Sequence, residues 1–387
     1  NRLRATKRKH MNKMSTSLPK SRLLPILYFV KRQVSKVKLL TLIKTGLVTN
    51  VMIQAYAGYG NGKEIYLAGR VLEDKGIAPS TALDSFWSNL GKMRKRFLTV
   101  VFPGVYVSAT FENQKITVQT DEEGYFEIRL PIIPKREFEE GWKPIELRME
   151  NPVSRSTSLL TATGKIYFPS PKAEFGVISD IDDTIVSTGA MRMWEMIQVT
   201  FSQNAHTRIP FPGVAEFYHS LRKGSDGILS NPLFYVSSSP WNLYDFLMEF
   251  LEAHQIPKGP LMLRDLGLSR DQWIAGSHRD HKLKQIEHIF EVYPNLPFIL
   301  IGDSGQQDPE IYLEAIQKHP HKILAVYIRD VSKRDLSAVQ RTYDQMNIPL
   351  VLVDDTLEAA RHAMNQGWIA EQSEEKIKVQ SIIDQKG

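Results

Sequence analysis

The sequence predicts an α/β protein in which a doubly wound parallel sheet fills the C-terminal half and a smaller β-rich, sandwich-like domain precedes it. Two observations carry this expectation. After Pro169–Pro171, short apolar runs without polar alternation are each followed by a longer segment of helical period, the mark of parallel strands covered on both faces. Before that point, from Val51 to about Phe168, short runs mostly rich in Val, Ile, Tyr and Phe are parted by turn residues such as Asn113-Gln114 and Asp121-Glu122-Glu123-Gly124.

Composition bounds the reading. The chain has 387 residues, 42% hydrophobic and 24% charged, an ordinary globular balance with room for two or three domains. Its formal net charge of +6 conceals an asymmetry: residues 1–63 hold fourteen basic residues and no acidic one, which leaves −8 for the rest. The absence of Cys excludes a disulfide scaffold, a thiolate zinc site and a cysteine nucleophile, so any metal must be held by oxygen or imidazole. No stretch approaches the roughly 20 apolar residues of a membrane span, and basic residues running on through Lys44 do not form a secretory signal, so a cytoplasmic protein is expected.

Taken in order, residues 1–50 form a basic leader. Its first twenty residues are polar, without periodicity, and expected to be disordered. Ile26, Val30, Val34, Val37 and Leu40 then recur at helical spacing between Lys31, Arg32, Lys36 and Lys38. That pattern fits a basic amphipathic helix on an anionic membrane, or a helix docked on the next domain. A nucleic-acid tail is the weaker third reading, because aromatic interleaving is limited to Tyr28 and Phe29. In the β-rich domain, 51–169, strands are expected near Val51–Tyr56, Glu64–Val71, Thr99–Phe111, Lys115–Thr120, Gly124–Leu130 and Ile145–Met149, with one amphipathic helix near Ser80–Phe97. The parallel-sheet domain, 170–368, alternates apolar runs starting at Phe175, Leu233, Leu261, Phe298, Ile323 and Leu350 with helices, and residues 369–387 read as a polar tail.

Ligands of such sheets bind at the carboxyl ends of the strands. Phe175–Ser179 runs into Asp180-Ile181-Asp182-Asp183-Thr184, Leu233–Val236 into Ser237-Ser238-Ser239-Pro240, and Phe298–Ile301 into Gly302-Asp303-Ser304-Gly305-Gln306-Gln307-Asp308. Asp180 and Asp182 are two apart, so in extended backbone they lean to the same side. With Asp303 and Asp308 they would gather four carboxylates, which raise one another's pKa unless a cation compensates. Mg²⁺ is the natural ion, being hard, oxygen-seeking and suited to sitting beside phosphate. Lys282, opening the helix before the last of these strands, would add a fixed positive charge for a transferring phosphoryl group.

Blander readings stand beside these. An Asp-Asp-Thr after a strand caps helices, Ser238 or Ser239 before Pro240 would cap a helix starting at Trp241, and Lys282 could be one more solvated charge in Arg279–Lys282. His278 and His281 are set aside as metal ligands because their neighbours supply no second shell of partners. Arg264, after Leu261–Leu263, is a candidate phosphate contact. Ser237 and Ser238 are both candidates at their strand end, where the end of the apolar run favours Ser237. The Met191, Met193, Trp194 and Met196 stripe reads as core packing more than as a lipid contact, in a segment with room only for a small lid.

The order DxDxT, strand-end Ser, Lys, GDxxxxD resembles the four motifs of the haloacid dehalogenase-like superfamily of aspartate-nucleophile phosphatases. More narrowly, Ser179–Ile185, Tyr235–Trp241 and Ile301–Glu310 resemble the actin-patch phosphatidate phosphatase family, over about half the chain from near Glu174 to near Ala363, with a weaker likeness around Tyr56–Val71. The resemblance implies a Mg²⁺-dependent phosphatidate phosphatase with a haloacid dehalogenase-like catalytic domain, peripherally associated with membrane and acting on phospholipid at an anionic surface. It implies Asp180 as nucleophile, Asp182 as general acid and base, Ser237 as a hydrogen-bond donor to the phosphoryl oxygens and Lys282 as their counter-charge. The metal would be held by Asp180, Asp303 and the main-chain carbonyl of Asp182, with Asp308 as a further candidate, and Thr184 would shape the turn. Two rivals stay open: the same chemistry on a nucleic-acid end or soluble phosphoester, and a phosphate-binding regulatory module without fast turnover. If the leader serves membrane recruitment, removing residues 1–50 is expected to lower activity on anionic vesicles far more than on a soluble phosphoester; equal losses on both would make the leader structural.

Overall fold

The structure is a computed structural model that describes residues 50–76, 99–151, 160–182, 211–228, 230–264 and 278–385. The leader, the helix expected near Ser80–Phe97, Asp183, Thr184 and the Met191–Met196 stripe lie outside the described residues.

Six short runs of Val, Ile, Leu and Phe form strands between two helical layers; the central ones are buried on both faces, which is why they lack alternation, while the edge run Leu350–Val353 leaves Leu352 exposed. They form a second sheet in the chain, numbered after the eight strands of the first: β9 (Gly176–Ser179), β10 (Leu233–Pro240), β11 (Leu261–Arg264), β12 (Phe298–Asp303), β13 (Ile323–Arg329) and β14 (Leu350–Val353). The pairing is parallel throughout, in the order β11-β10-β9-β12-β13-β14. Among the described residues seven α-helices accompany it: α1 (Val214–Lys223), α2 (Tyr244–Ala253), α3 (His278–Val292), α4 (Asp308–Lys318), α5 (Ser337–Gln345), α6 (Thr356–Asn365) and α7 (Ser373–Asp384). Val177, Tyr235 and Ile299 face the layer built from α1, α2, α6 and α7, while Ile178, Phe234 and Leu300 face α3, α4 and α5. The chain steps outward from β9 to β11 and then returns to β12 on the other side of β9. The carboxyl ends of β9 and β12 therefore flank the topological switch point.

The first sheet comprises β1 (Val51–Ala55), β2 (Gly58–Gly60), β3 (Glu64–Glu73), β4 (Tyr106–Phe111), β5 (Gln114–Gln119), β6 (Tyr125–Pro131), β7 (Gly141–Met149) and β8 (Thr161–Phe168). A sandwich-like arrangement was the expectation; the eight described strands belong to one hydrogen-bonded sheet in which β6 branches from β3. β1 and β2 share one edge of β3, β6 takes its other edge, and β2 leads through β8, β7 and β4 to β5. β5 and β6 lie against each other, and a single apolar interior including Leu67, Val107, Ile128, Leu147 and Ile166 results.

Three other expectations change. The Thr99–Phe111 run is a strand only from Tyr106, because Pro103-Gly104 turns the chain with Gly104 at φ 73°. The strand β8, not anticipated from its weak Thr-Ala-Thr-Gly opening, needs Gly164: a Cβ there would lie 2.8 Å from Leu67 Cδ1. Within the expected polar tail, Ser373–Asp384 is the helix α7. Ile377, fully buried, anchors it against α1 and α6, and the Asp384 carboxylate accepts the Gly213 N–H at 2.8 Å.

The β-rich body is joined to both helical layers through tyrosines. Tyr56 stacks on Trp241 at 4.0 Å between ring centres, the Tyr244 hydroxyl accepts the Ala57 N–H at 2.8 Å, and Gln54 donates to Asp245 at 2.9 Å. On the other layer the Tyr59 hydroxyl and His288 Nδ1 are 2.5 Å apart, and the Tyr293 hydroxyl donates to the Gly60 carbonyl at 3.0 Å. Burial, aided by Arg129 and Lys284, pushes His288 down from 6.5 to about 4. Between those values the unfolded chain binds a proton that the folded chain does not, so stability falls as pH drops through this window. Urea midpoints measured from pH 7 to pH 4.5 are expected to fall more steeply for the wild type than for His288→Asn, and equal slopes would remove His288 from the account.

Candidate active site

The switch point is where the chemistry collects. Asp180 follows directly on the buried strand β9, its N–H extending the ladder to the Ile301 carbonyl at 2.9 Å. Ser179 fixes this turn by donating to the Asp180 carbonyl at 2.6 Å, with the Tyr218 hydroxyl 2.7 Å away. From α3, on the opposite side of the crevice, Lys282 reaches in with 1% side-chain exposure and bridges Asp180 Oδ2 at 3.1 Å and Asp308 Oδ1 at 2.6 Å. Asp308 opens α4, and its other oxygen accepts the Asp303 N–H at 3.2 Å. That approach depends on Gly302, where a Cβ would sit 2.5 Å from Asp308 Oδ2.

Asp180, Asp303 and Asp308 are all buried, each offering a carboxylate oxygen within 4.8 Å of the others. Ionised together against one ammonium, they carry a formal −2. Burial drives Asp180 well above the ordinary carboxylate range; Lys282 opposes this, while Asp308, Asp182 and Asp303 add to it. Burial alone would lower Lys282, but Asp180 and Asp308 outweigh it and hold the ammonium above its ordinary value. Among the described residues, Asp180 Oδ1 has no hydrogen-bond partner. A buried surplus of negative charge made of hard carboxylate oxygens fits a divalent cation such as Mg²⁺.

The carboxylate of Asp182 does not join this group. Its Oδ2 accepts from Ser237 at 2.8 Å and from Ser239 at 2.9 Å, while Ser237 Oγ also accepts the Ser239 N–H at 2.9 Å. Ser237 thus grips the second aspartate at the strand end where a phosphoryl contact was expected, and Ser238 Oγ, buried, has no partner among the described residues. The helical turn after Pro240 has no side-chain cap, so the capping role read for Ser238 or Ser239 is not what the structure shows. Arg264 ends β11, one strand further out than β10, beside Pro240. Two site residues escaped the sequence reading. Ser239 was read only as a cap, and Gln306 lies within the unassigned filler of GDxxxxD, where only the short Asp303-to-Asp308 turn hinted that a filler residue must fold back over the carboxylates.

The parallel α/β domain thus buries an aspartate, a lysine and two further aspartates at its switch point. Residues 175–330 match the family model for the catalytic domain of phosphatidate phosphatase APP1. It is 28% identical over 228 residues to phosphatidate phosphatase APP1 of Saccharomyces cerevisiae, covering 56% of this chain and 38% of that protein. It is 27% identical over 256 residues to the uncharacterized protein C29B5.04c of Schizosaccharomyces pombe, covering 61% and 39%. The chain therefore spans less than two-fifths of the length of these curated relatives. Among solved structures, a carbohydrate acetylesterase from Xanthomonas citri aligns at 11% identity over 79% of this chain and 73% of that one, with a TM-score of 0.24, too low to bear on the fold.

Removing one partner of a buried ion pair strands the other, at about 3–5 kcal/mol. Lys282→Met is expected to lose stability on that scale at pH 7 in urea unfolding, and Asp180→Asn combined with Lys282→Met is expected to lose less than the sum of the two single losses. Strict additivity would show that the contact contributes nothing.

Proposed function

We propose that this protein is a Mg²⁺-dependent phosphatidate phosphatase that releases diacylglycerol and phosphate through an aspartyl-phosphate at Asp180, on a haloacid dehalogenase-like scaffold. The observation that carries the reading is the buried Asp180–Lys282–Asp308 bridge at the switch point of a domain that matches the model of the phosphatidate phosphatase APP1 catalytic domain. Asp180, Asp303 and Asp308, with the main-chain carbonyl of Asp182, would hold the ion. Bound there, Mg²⁺ would supply positive charge to the phosphate oxygens and keep the carboxylates ionised.

The chain's own residues do the rest. An oxygen of Asp180 attacks phosphorus, the bond from phosphorus to the glycerol oxygen breaks, and Asp182 gives its proton to that leaving oxygen. In the second half Asp182 takes a proton from water as the water oxygen attacks the aspartyl-phosphate, restoring Asp180 and releasing phosphate. Ser237 and Ser239 hold the Asp182 carboxyl group in place for both transfers. Lys282 neutralises charge that builds on the phosphoryl group and, in its absence, balances Asp180 and Asp308. Ser238, with its unpartnered buried hydroxyl, and Arg264 are the substrate contacts of this scheme. The phosphatidate substrate rests on the similarity of residues 175–330 to the phosphatidate phosphatase APP1 catalytic domain. The basic leader is the element that would bring the enzyme to an anionic cytoplasmic surface as a peripheral protein, and no described helix is long and apolar enough to cross a membrane.

The test is phosphate release from short-chain phosphatidate in micelles, a phosphorylated oligonucleotide and a soluble phosphoester, with Mg²⁺ or with chelator. Phosphatidate hydrolysis that needs Mg²⁺ and drops at least about a thousandfold in Asp180→Asn is expected. Full activity in Asp180→Asn would sink the aspartyl-phosphate mechanism, and hydrolysis of the oligonucleotide but not phosphatidate would sink the lipid substrate.

A further inference from the structure

We propose that Gln306 is the positioning residue for the Asp180 carboxylate, and that Arg334 locks the loop that carries it. The inference rests on the reading of Asp180 as the attacking group. Three members of the site meet at this one side chain and its peptide. The Gln306 N–H donates to Asp303 Oδ1 at 2.9 Å, its Nε2 donates to Asp180 Oδ2 at 3.3 Å, and its Oε1 accepts from Lys282 Nζ at 3.3 Å. Those groups come from β12, the end of β9 and α3, so a single residue ties the three elements that build the crevice.

The orientation of the amide is dictated. An ammonium donates and cannot accept, so Oε1 is the atom that must face Lys282, and Nε2 is left to face Asp180. Asp180 Oδ2 then receives Lys282 at 3.1 Å together with Gln306, while Oδ1 has no partner among the described residues. A carboxylate fastened at one oxygen keeps the other pointed in a constant direction, which is what an in-line attack on phosphorus requires. Glutamine is suited to the task because it is neutral. A glutamate would repel Asp180, and a lysine would compete with a bound cation for the same oxygens.

The loop is fastened from outside. Arg334 Nη2 donates to the Gln306 carbonyl at 3.2 Å, and the same guanidinium grips Glu310 through two bonds of 2.9 and 2.8 Å. This planar fork ties the Gln306 peptide to the first turn of α4, so shifting that peptide away from Asp180 would break the Arg334 bond to its carbonyl.

The experiment compares wild type with Gln306→Leu, Gln306→Asn and Arg334→Leu, using short-chain phosphatidate in micelles and, separately, beryllium fluoride with Mg²⁺ as a stable mimic of the phosphoryl group on Asp180, followed by ¹⁹F NMR. In Gln306→Leu the expected outcome is a kcat about 10- to 100-fold lower with KM within about threefold, and weaker capture of beryllium fluoride, while the melting temperature stays near that of wild type. Gln306→Asn, one methylene too short to bridge, is expected to match it, and Arg334→Leu to fall between it and wild type. A kcat within about twofold of wild type in Gln306→Leu would overturn the proposal, as would a loss shared between kcat and KM that follows a fall in melting temperature. A wild-type protein that neither hydrolyses phosphatidate nor captures beryllium fluoride would overturn the reading of Asp180 itself, and this inference with it.

Discussion

An ammonium group with almost no access to water lies between two carboxylates, and much of the parallel-sheet half of the molecule can be understood as the means of keeping it there. Lys282 costs several kcal/mol to bury unpaired, and so do Asp180 and Asp308; each is tolerable only because the others are present. The pairing demands that three distant segments arrive in register: the end of β9, the first turns of α3 and the first turn of α4. A parallel sheet with its switch point between β9 and β12 delivers two of these side by side, and α3, returning to feed β12, brings the third across the opening. Small residues then settle the fit, Gly302 above all, since no other residue lets the Asp308 carboxylate close over the strand end.

Two aspartates two residues apart occupy different electrostatic worlds. Asp180 shares its space with like charges and a lysine, whereas Asp182 is held by serine hydroxyls from β10. In the reaction proposed above, separate partners would keep the attacking carboxylate and the proton carrier from interchanging roles.

Much of the site was legible because it lies at strand ends, and strands buried on both faces announce themselves as unbroken apolar runs. Asp180, Lys282, Asp303 and Asp308 stand in an order that the sequence alone displays, and the structure brings their side chains together. What was not legible came from turns. Gln306 acquires its partners only because the Ser304-Gly305 turn folds it back toward Asp303, and Ser239 faces Asp182 only because β10 continues past its apolar portion to Pro240. Arg264 matched the right kind of position on a strand further from the centre. The C-terminal helix was hidden by its charges, since one fully buried isoleucine, Ile377, does most of its anchoring and leaves no run to detect. In the β-rich half, alternation revealed most strands, yet Tyr56 and Tyr59, which look like ordinary strand residues, belong to the junction with the helices.

That junction bears on how the molecule should be divided. The stretch recognisable as a catalytic domain, 175–330, is bounded by ancestry and does not coincide with the unit that excludes water. Cut out along those lines, it would present Trp241, Tyr244, Phe234 and Tyr293 as a bare aromatic surface on one side. It would also lose Val353, Ala359, Ala360 and Ile377 from the core on the other. Inheritance and solvent draw different borders here, and a descendant of this domain that travelled alone would need new apolar cover on both flanks to remain soluble.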